Sequence, residues 1–131
     1  PAPAMSRSVP EEDVEVRLED QKAINTFGRL NTRLNELEEE IKEKRSLYDQ
    51  LDDAANEIIL ADDDEPIRFA FGECYFETDK DQADELLEKQ KDKAEAEVKA
   101  LEDEMGSIKS TLASLKTQLY ARFGNNINLE A

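Results

Sequence analysis

Apolar residues recur along two stretches of this chain at steps of three and four. In the first, from about Glu19 to Leu60, they are Phe27, Leu30, Leu34, Leu37, Ile41, Tyr48, Leu51, Ala55 and Ile58, with Lys44 filling the one polar place. The steps alternate without a skip, and Ile24 extends the stripe one turn earlier. Such spacing predicts a long helix with a narrow coiled-coil seam. Lys44 is compatible with the seam because its stem can lie along it with the charge outside. Gly28 is a weak point, costing up to about 1 kcal/mol of helix propensity.

The second stretch, from about Asp79 to Phe123, carries Leu87, Ala94, Val98, Leu101, Met105, Ile108, Leu112, Leu115 and Leu119, with Lys91 interrupting the early half. Thr78 or Asp79 can cap its start, with Asp81 or Gln82 three residues on. Gly124 suits a left-handed stop, and Arg122 suits a helix C-terminus. Each helix would be about 65 Å long. Folded back antiparallel, Leu51 faces Leu87, Leu34 faces Met105 and Phe27 faces Leu112. The chain ends then lie together, away from the bend.

The bend itself is the unusual part. A helical hairpin turns in a few residues, whereas this one spends about 18 (Ala61 to Thr78) and makes their middle apolar and aromatic. Residues 66–77 read as a β-hairpin about Gly72-Glu73, with glycine supplying a positive φ. That register pairs Phe71 with Cys74, Ala70 with Tyr75, Phe69 with Phe76 and Arg68 with Glu77. Phe69, Phe71, Cys74 and Phe76 then share one face, which Ile67 extends, and Arg68 meets Glu77 as an opposite charge. Pro66 sits at the strand start, where a missing N–H is tolerated. Three readings are open. The hairpin caps its own coil, it is a flexible loop, or it joins a sheet shared between chains. The last is favoured, because a lone two-stranded hairpin is marginal in water and its exposed edges invite pairing.

Composition narrows the function. There are 33 acidic and 17 basic residues, a net charge of −16, 38% charged residues and 6% aromatics. That mix suits solvated helices with thin apolar seams. The periodicity argues against disorder, except over residues 1–13, which are expected to be a disordered tail. Nucleic acid is not expected as a partner, since phosphate contact needs clustered Lys and Arg. An anionic membrane surface is disfavoured for the same reason. No apolar run reaches the ~20 residues of a membrane span. The start lacks the apolar run of a signal peptide. Met5 is a candidate native start, with Pro1–Ala4 then foreign to the protein. A single cysteine, Cys74, rules out an intrachain disulfide and suits a reducing compartment.

Chemistry is thin. The chain has no histidine, so Cys74 lacks that activator and reads as a small buried hydrophobe on the hairpin face. Asp62-Asp63-Asp64-Glu65 lacks the alternating oxygens, glycine and distant Glu of a calcium loop; it reads as a helix terminator. No phosphate loop or nucleophile elbow is present. An enzyme is not expected, nor a cofactor or metal.

The far end is richer. After Gly124, Ile127 and Leu129 are apolar and two apart; Leu119, Tyr120 and Phe123 precede them, and Val14, Val16, Leu18 and Ile24 open helix 1. Two readings stand: ends that pack locally, or an adaptable apolar surface for a partner.

With these residues in view, the chain resembles the prefoldin family, and within it the β-type subunits. The resemblance is carried by residues 19–41 (EDQKAINTFGRLNTRLNELEEEI), 51–65 (LDDAANEIILADDDE), the hairpin with Gly72 and Phe76, and above all 119–131 (LYARFGNNINLEA). It covers roughly residues 14–131. Arg17 stands where a capping Thr is expected, and IRFAFGECYF is more aromatic than the usual pattern. The resemblance implies a mostly α fold: an antiparallel two-helix coiled coil with one β-hairpin inserted at the bend. It implies a cytoplasmic hetero-hexamer of two α-type and four β-type subunits whose hairpins form a double β-barrel body. Its coiled-coil tips would hold unfolded clients, notably actin and tubulin, and pass them to the cytosolic (group II) chaperonin without ATP. Body residues would be Ile67, Phe69, Phe71, Cys74 and Phe76. Tip residues, assigned from apolar character and position, would be Ile24, Phe27, Leu119, Tyr120, Phe123, Ile127 and Leu129. The alternatives are a coiled-coil adaptor for one folded partner, which needs no aromatic hairpin, or a small tubulin-handling helical chaperone that needs no α-type partner.

Overall fold

A computed structural model describes residues 15–71 and 73–130. For Phe69, Phe71 and Phe76 it describes the backbone alone. The expected disorder of residues 1–13, the positive φ at Gly72 and the shared face of the three phenylalanines lie outside the described residues.

Two long helices pack together with a small antiparallel strand pair between them in sequence. Helix α1 spans Leu18–Ile59, strand β1 Ile67–Phe71, strand β2 Cys74–Thr78 and helix α2 Lys80–Phe123; a 3-10 turn, Gly124–Asn126, follows. The chain divides into two compact units: a terminal unit, Pro1–Glu39 with Glu102–Ala131, and a hairpin unit, Glu40–Leu101.

Each helix end has an identifiable cause. At the start of α1 no side chain caps from position 17. Instead the Asp20 carboxylate reaches back and accepts the Arg17 N–H at 3.0 Å. This is the returning half of a capping box, and it places acid where the helix dipole favours it. At its other end α1 has no basic residue in its last turn. Lys80, the first residue of α2, supplies the charge from outside. Its ammonium donates to the Ile59 and Ala61 carbonyls and to the Asp63 carboxylate, each at 3.2 Å. The helix tightens before the acidic run, through Leu60 N–H to Glu57 O (3.1 Å) and Ala61 N–H to Ile58 O (3.0 Å). The run 62–65 follows this turn, and its Asp63 holds Lys80 beside the last carbonyls. Helix α2 starts on Asp79, whose Oδ1 accepts the Gln82 N–H at 2.8 Å. It ends at Gly124, whose φ of 55° is costly for any residue with a Cβ.

The seams are the core. In the hairpin unit the buried cluster is Leu51, Ile58, Ile67, Ala83, Leu87 and Ala94, with Leu47, Tyr48 and Ala55 packed against it. Burying a leucine or isoleucine contributes roughly 1.5–3 kcal/mol, so these positions outweigh the exposed ion pairs around them. Both seam lysines find an acid on the opposite helix: Lys44 meets Glu97 at 2.6 Å and Lys91 meets Asp52 at 2.9 Å. Lys91 also lies over the Tyr48 ring, 5.4 Å from its centroid. The hydrogen-bonded Asp52 carboxylate raises the Lys91 pKa, as Glu97 does that of Lys44. In the terminal unit Leu37, Ile108 and Leu112 are buried, and Arg33 grips Glu104 through two bonds of 2.8 and 3.1 Å. The antiparallel register is thus held by apolar knobs and marked by cross-helix pairs.

Candidate functional site

The hairpin pairs Ile67 with Thr78, Arg68 with Glu77, Phe69 with Phe76, Ala70 with Tyr75 and Phe71 with Cys74. Arg68 Nε lies 3.5 Å from Glu77 Oε2, on the surface. The sheet has two strands, so among the described residues each keeps an outer edge without a ladder partner. Tyr75 is 87% exposed, and Cys74, expected as a buried hydrophobe, is exposed in the single chain. Ile67 behaves differently. It packs inside the chain, against Leu51, Ile58 and Leu87, because it opens β1 within reach of the last turns of α1. One end of the hairpin therefore caps its own helices, while Cys74 and Tyr75 near its turn are exposed. Beside it lies a groove of about 460 Å³ with a mixed lining: Leu47, Leu51, Ile58 and Ile67 together with Glu57 and Arg68. Ile59 and Leu60 at the end of α1 are exposed.

In the terminal unit the reading in which the ends pack locally describes the single chain. Of the residues expected to offer an open apolar patch, Ile24, Phe27, Leu119, Phe123, Ile127 and Leu129 are all buried. Tyr120 is half-buried, and its hydroxyl accepts the Leu129 N–H at 3.3 Å. These residues make a core instead of a surface, because the segment after α2 turns at Gly124 and brings two further aliphatic side chains into the unit. Lys116 holds the same segment through Glu130 at 2.7 Å. Burying Ile127 and Leu129 contributes roughly 3–6 kcal/mol, offset by about 1–2 kcal/mol for each backbone residue that must be fixed. The segment is thus held without a large surplus. Val16 and Leu18 remain exposed at this end.

A polar clamp fastens the same region. Arg122 donates to both Asp20 oxygens, at 3.1 and 2.6 Å, and to the Glu15 carbonyl at 2.9 Å. Asp20 is 4% exposed. The Arg122 hydrogen bond, aided by that of the Arg17 N–H, lowers its carboxyl pKa from 3.8 to about 2. Sequence reasoning missed this pair, reading Arg122 as a helix-dipole charge alone. The signal was available: a register that faces Phe27 with Leu112 also brings position 20 close to the last turn of α2.

Among the described residues no group of His, Cys, Asp or Glu is arranged to hold a metal ion. No described helix is long and apolar enough to cross a membrane. The hairpin unit offers surface, strand edges that no other described strand pairs, beside a groove of mixed lining; the terminal unit offers a closed aliphatic cluster.

Known proteins of this kind are recognisable. Residues 21–126 match the family described as Prefoldin subunit. The chain is 46% identical over 121 residues to Prefoldin subunit 4 of Homo sapiens, covering 92% of this chain and 90% of the human protein. Prefoldin subunit 4 of Saccharomyces cerevisiae is 36% identical over 118 residues, covering 90% and 92% respectively. Among solved structures, the prefoldin beta subunit from Thermococcus strain KS-1 superposes with a TM-score of 0.72 over 85% of this chain and 97% of that one. At 18% identity that likeness speaks for the fold. The matched family is one of chaperone subunits and not of an enzyme. On the family match, the two relatives and the shared helix–hairpin–helix order, this chain belongs to the prefoldin subunit family.

Proposed function

We propose that this chain is a non-enzymatic holding subunit of a cytoplasmic prefoldin hetero-hexamer. Two α-type and four β-type subunits would join their hairpins into a double β-barrel. The assembly would capture unfolded proteins, actin and tubulin among them, and deliver them to the group II cytosolic chaperonin without ATP. The family membership supports the subunit role.

The observation that carries the reading is the hairpin: among the described residues a sheet of two strands whose outer edges have no strand partner, an exposed Tyr75 and a partly apolar groove at its base. Such edges are satisfied by strands from neighbours, and a pair this short gains most of its stability that way. Phe69, Phe71, Cys74 and Phe76 are the residues assigned to that contact. Ile67 anchors the hairpin to its own helices.

Client capture follows from area and number. An unfolded chain exposes apolar surface, and covering it yields about 25 cal/mol per Å², offset by the cost of ordering both partners. A single subunit then holds weakly. Several on one body raise the effective concentration, and modest patches suffice together.

The deciding experiment is the native mass of the chain mixed with α-type and other β-type subunits. A six-subunit species is expected. Phe69→Asp combined with Phe71→Asp should abolish it while helicity by circular dichroism is retained. Intact hexamers from that double variant would remove the hairpin from the assembly role.

A further inference from the structure

The segment after α2 does more than close a helix. Past the 3-10 turn the backbone is extended at Ile127 (φ −132°, ψ 144°). In extended chain, residues two apart point to the same side. Ile127 and Leu129 are each 4% exposed. Asn128 between them is exposed, and its Oδ1 accepts the Glu130 N–H at 3.0 Å. So an Ile-Asn-Leu tripeptide buries two aliphatic side chains in the unit that also buries Ala23, Ile24, Phe27, Leu119 and Phe123. Among the described residues the side-chain hold is light: one N–H on the Tyr120 hydroxyl at 3.3 Å, and a Lys116–Glu130 pair whose acid is 70% exposed; the Ile127 backbone is also paired in a single β-bridge, a contact indifferent to sequence. Surface pairs of this kind add little. Aliphatic side chains buried at alternate positions, with few contacts that depend on sequence, is how a site would hold an unfolded chain.

We propose that residues 125–130 are the resident occupant of this chain's client site. The site, between the start of α1 and the last turns of α2, accepts an extended segment with aliphatic residues at alternate positions. The resident leaves before a client segment enters. This rests on the reading of the chain as a client-holding subunit, and it specifies the class of segment held.

Occupancy by the resident lowers the apparent affinity for a client in proportion to the fraction of time the site is free. Loosening the resident therefore tightens client binding, whereas a purely structural tail would give the opposite. The test uses the reconstituted hexamer carrying Lys116→Glu, which repels Glu130, or Tyr120→Phe, which removes the acceptor for Leu129. Both spare the buried aliphatic residues. A third variant, Ile127→Ser with Leu129→Ser, removes the anchors themselves. The probe is reduced, carboxymethylated lactalbumin, followed by fluorescence anisotropy, with amide hydrogen exchange at residues 127–130 read in parallel.

The expected result for Lys116→Glu and Tyr120→Phe is tighter binding, towards a limit of about three- to tenfold, the gain when a site free a third to a tenth of the time is emptied. In the unmodified hexamer, saturating probe should speed exchange at 127–130. Unchanged or weaker binding in both mild variants, or amides that stay protected under saturating probe, overturns the proposal while leaving the holding function intact. A hexamer that binds no probe with or without the substitutions overturns both.

Discussion

Asp20 is the residue on which the terminal unit's polar hold converges. Its carboxyl is buried, ionised and held near a pKa of 2 by Arg122 and the Arg17 N–H. A carboxyl lowered from 3.8 adds stability that is fully present above about pH 4–5 and is lost as the pH falls through about 2. Amide exchange at the first turns of α1 should accordingly rise across that window. Arg122→Ala should carry the Asp20 pKa back up and move the loss to higher pH, as carbon-detected carboxyl titration would reveal. Leu37 tests the other kind of contact. It is fully buried, so Leu37→Ala should cost about 2–5 kcal/mol in chemical denaturation. The two residues differ in legibility. Leu37 is announced by its place in an unbroken three-four spacing. Asp20 looks like one acid among 33 until the helices are laid side by side, because its partner is 102 positions away.

Elements were legible where their cause is local, and hidden where it is not. The two-residue hairpin connection dictates that Arg68 opposes Glu77, and the strands pair in that way. The seam positions dictate which helix faces meet, and Leu51 and Leu87 share one cluster. Two features depended on distant parts. Ile67 belongs by alternation to the hairpin's apolar face, yet the end of α1 lies close enough to claim it. Ile127 and Leu129 read equally well as surface or as core, since spacing by two says nothing about what lies opposite. The α1 terminus carries a third such feature. Lys80→Ala should leave the Ile59 and Ala61 carbonyls without their charged donor, costing about 1 kcal/mol. Exchange should rise in the last turn of α1 and spare its middle, which hydrogen-exchange mass spectrometry can localise. A uniform rise along α1 would mean that Lys80 does not act on the terminus.

At the scale of the molecule, what the chain keeps exposed matters as much as what it buries. Tyr75 is 87% exposed, so Tyr75→Ala should leave unfolding of the isolated chain within about 0.5 kcal/mol of the parent. The same change should reduce the assembled fraction in native mass measurements if the hairpin is where subunits meet. An unaltered assembly would place the contact elsewhere.

Cys74 sits on β2 among the residues assigned to that contact. It is the one thiol in the chain and is exposed there. A maleimide dye would consequently label every molecule at a single known position, and quickly while the subunit is alone. Slowed labelling upon mixing with companions would time the docking event itself, from within the joint, without any engineered tag.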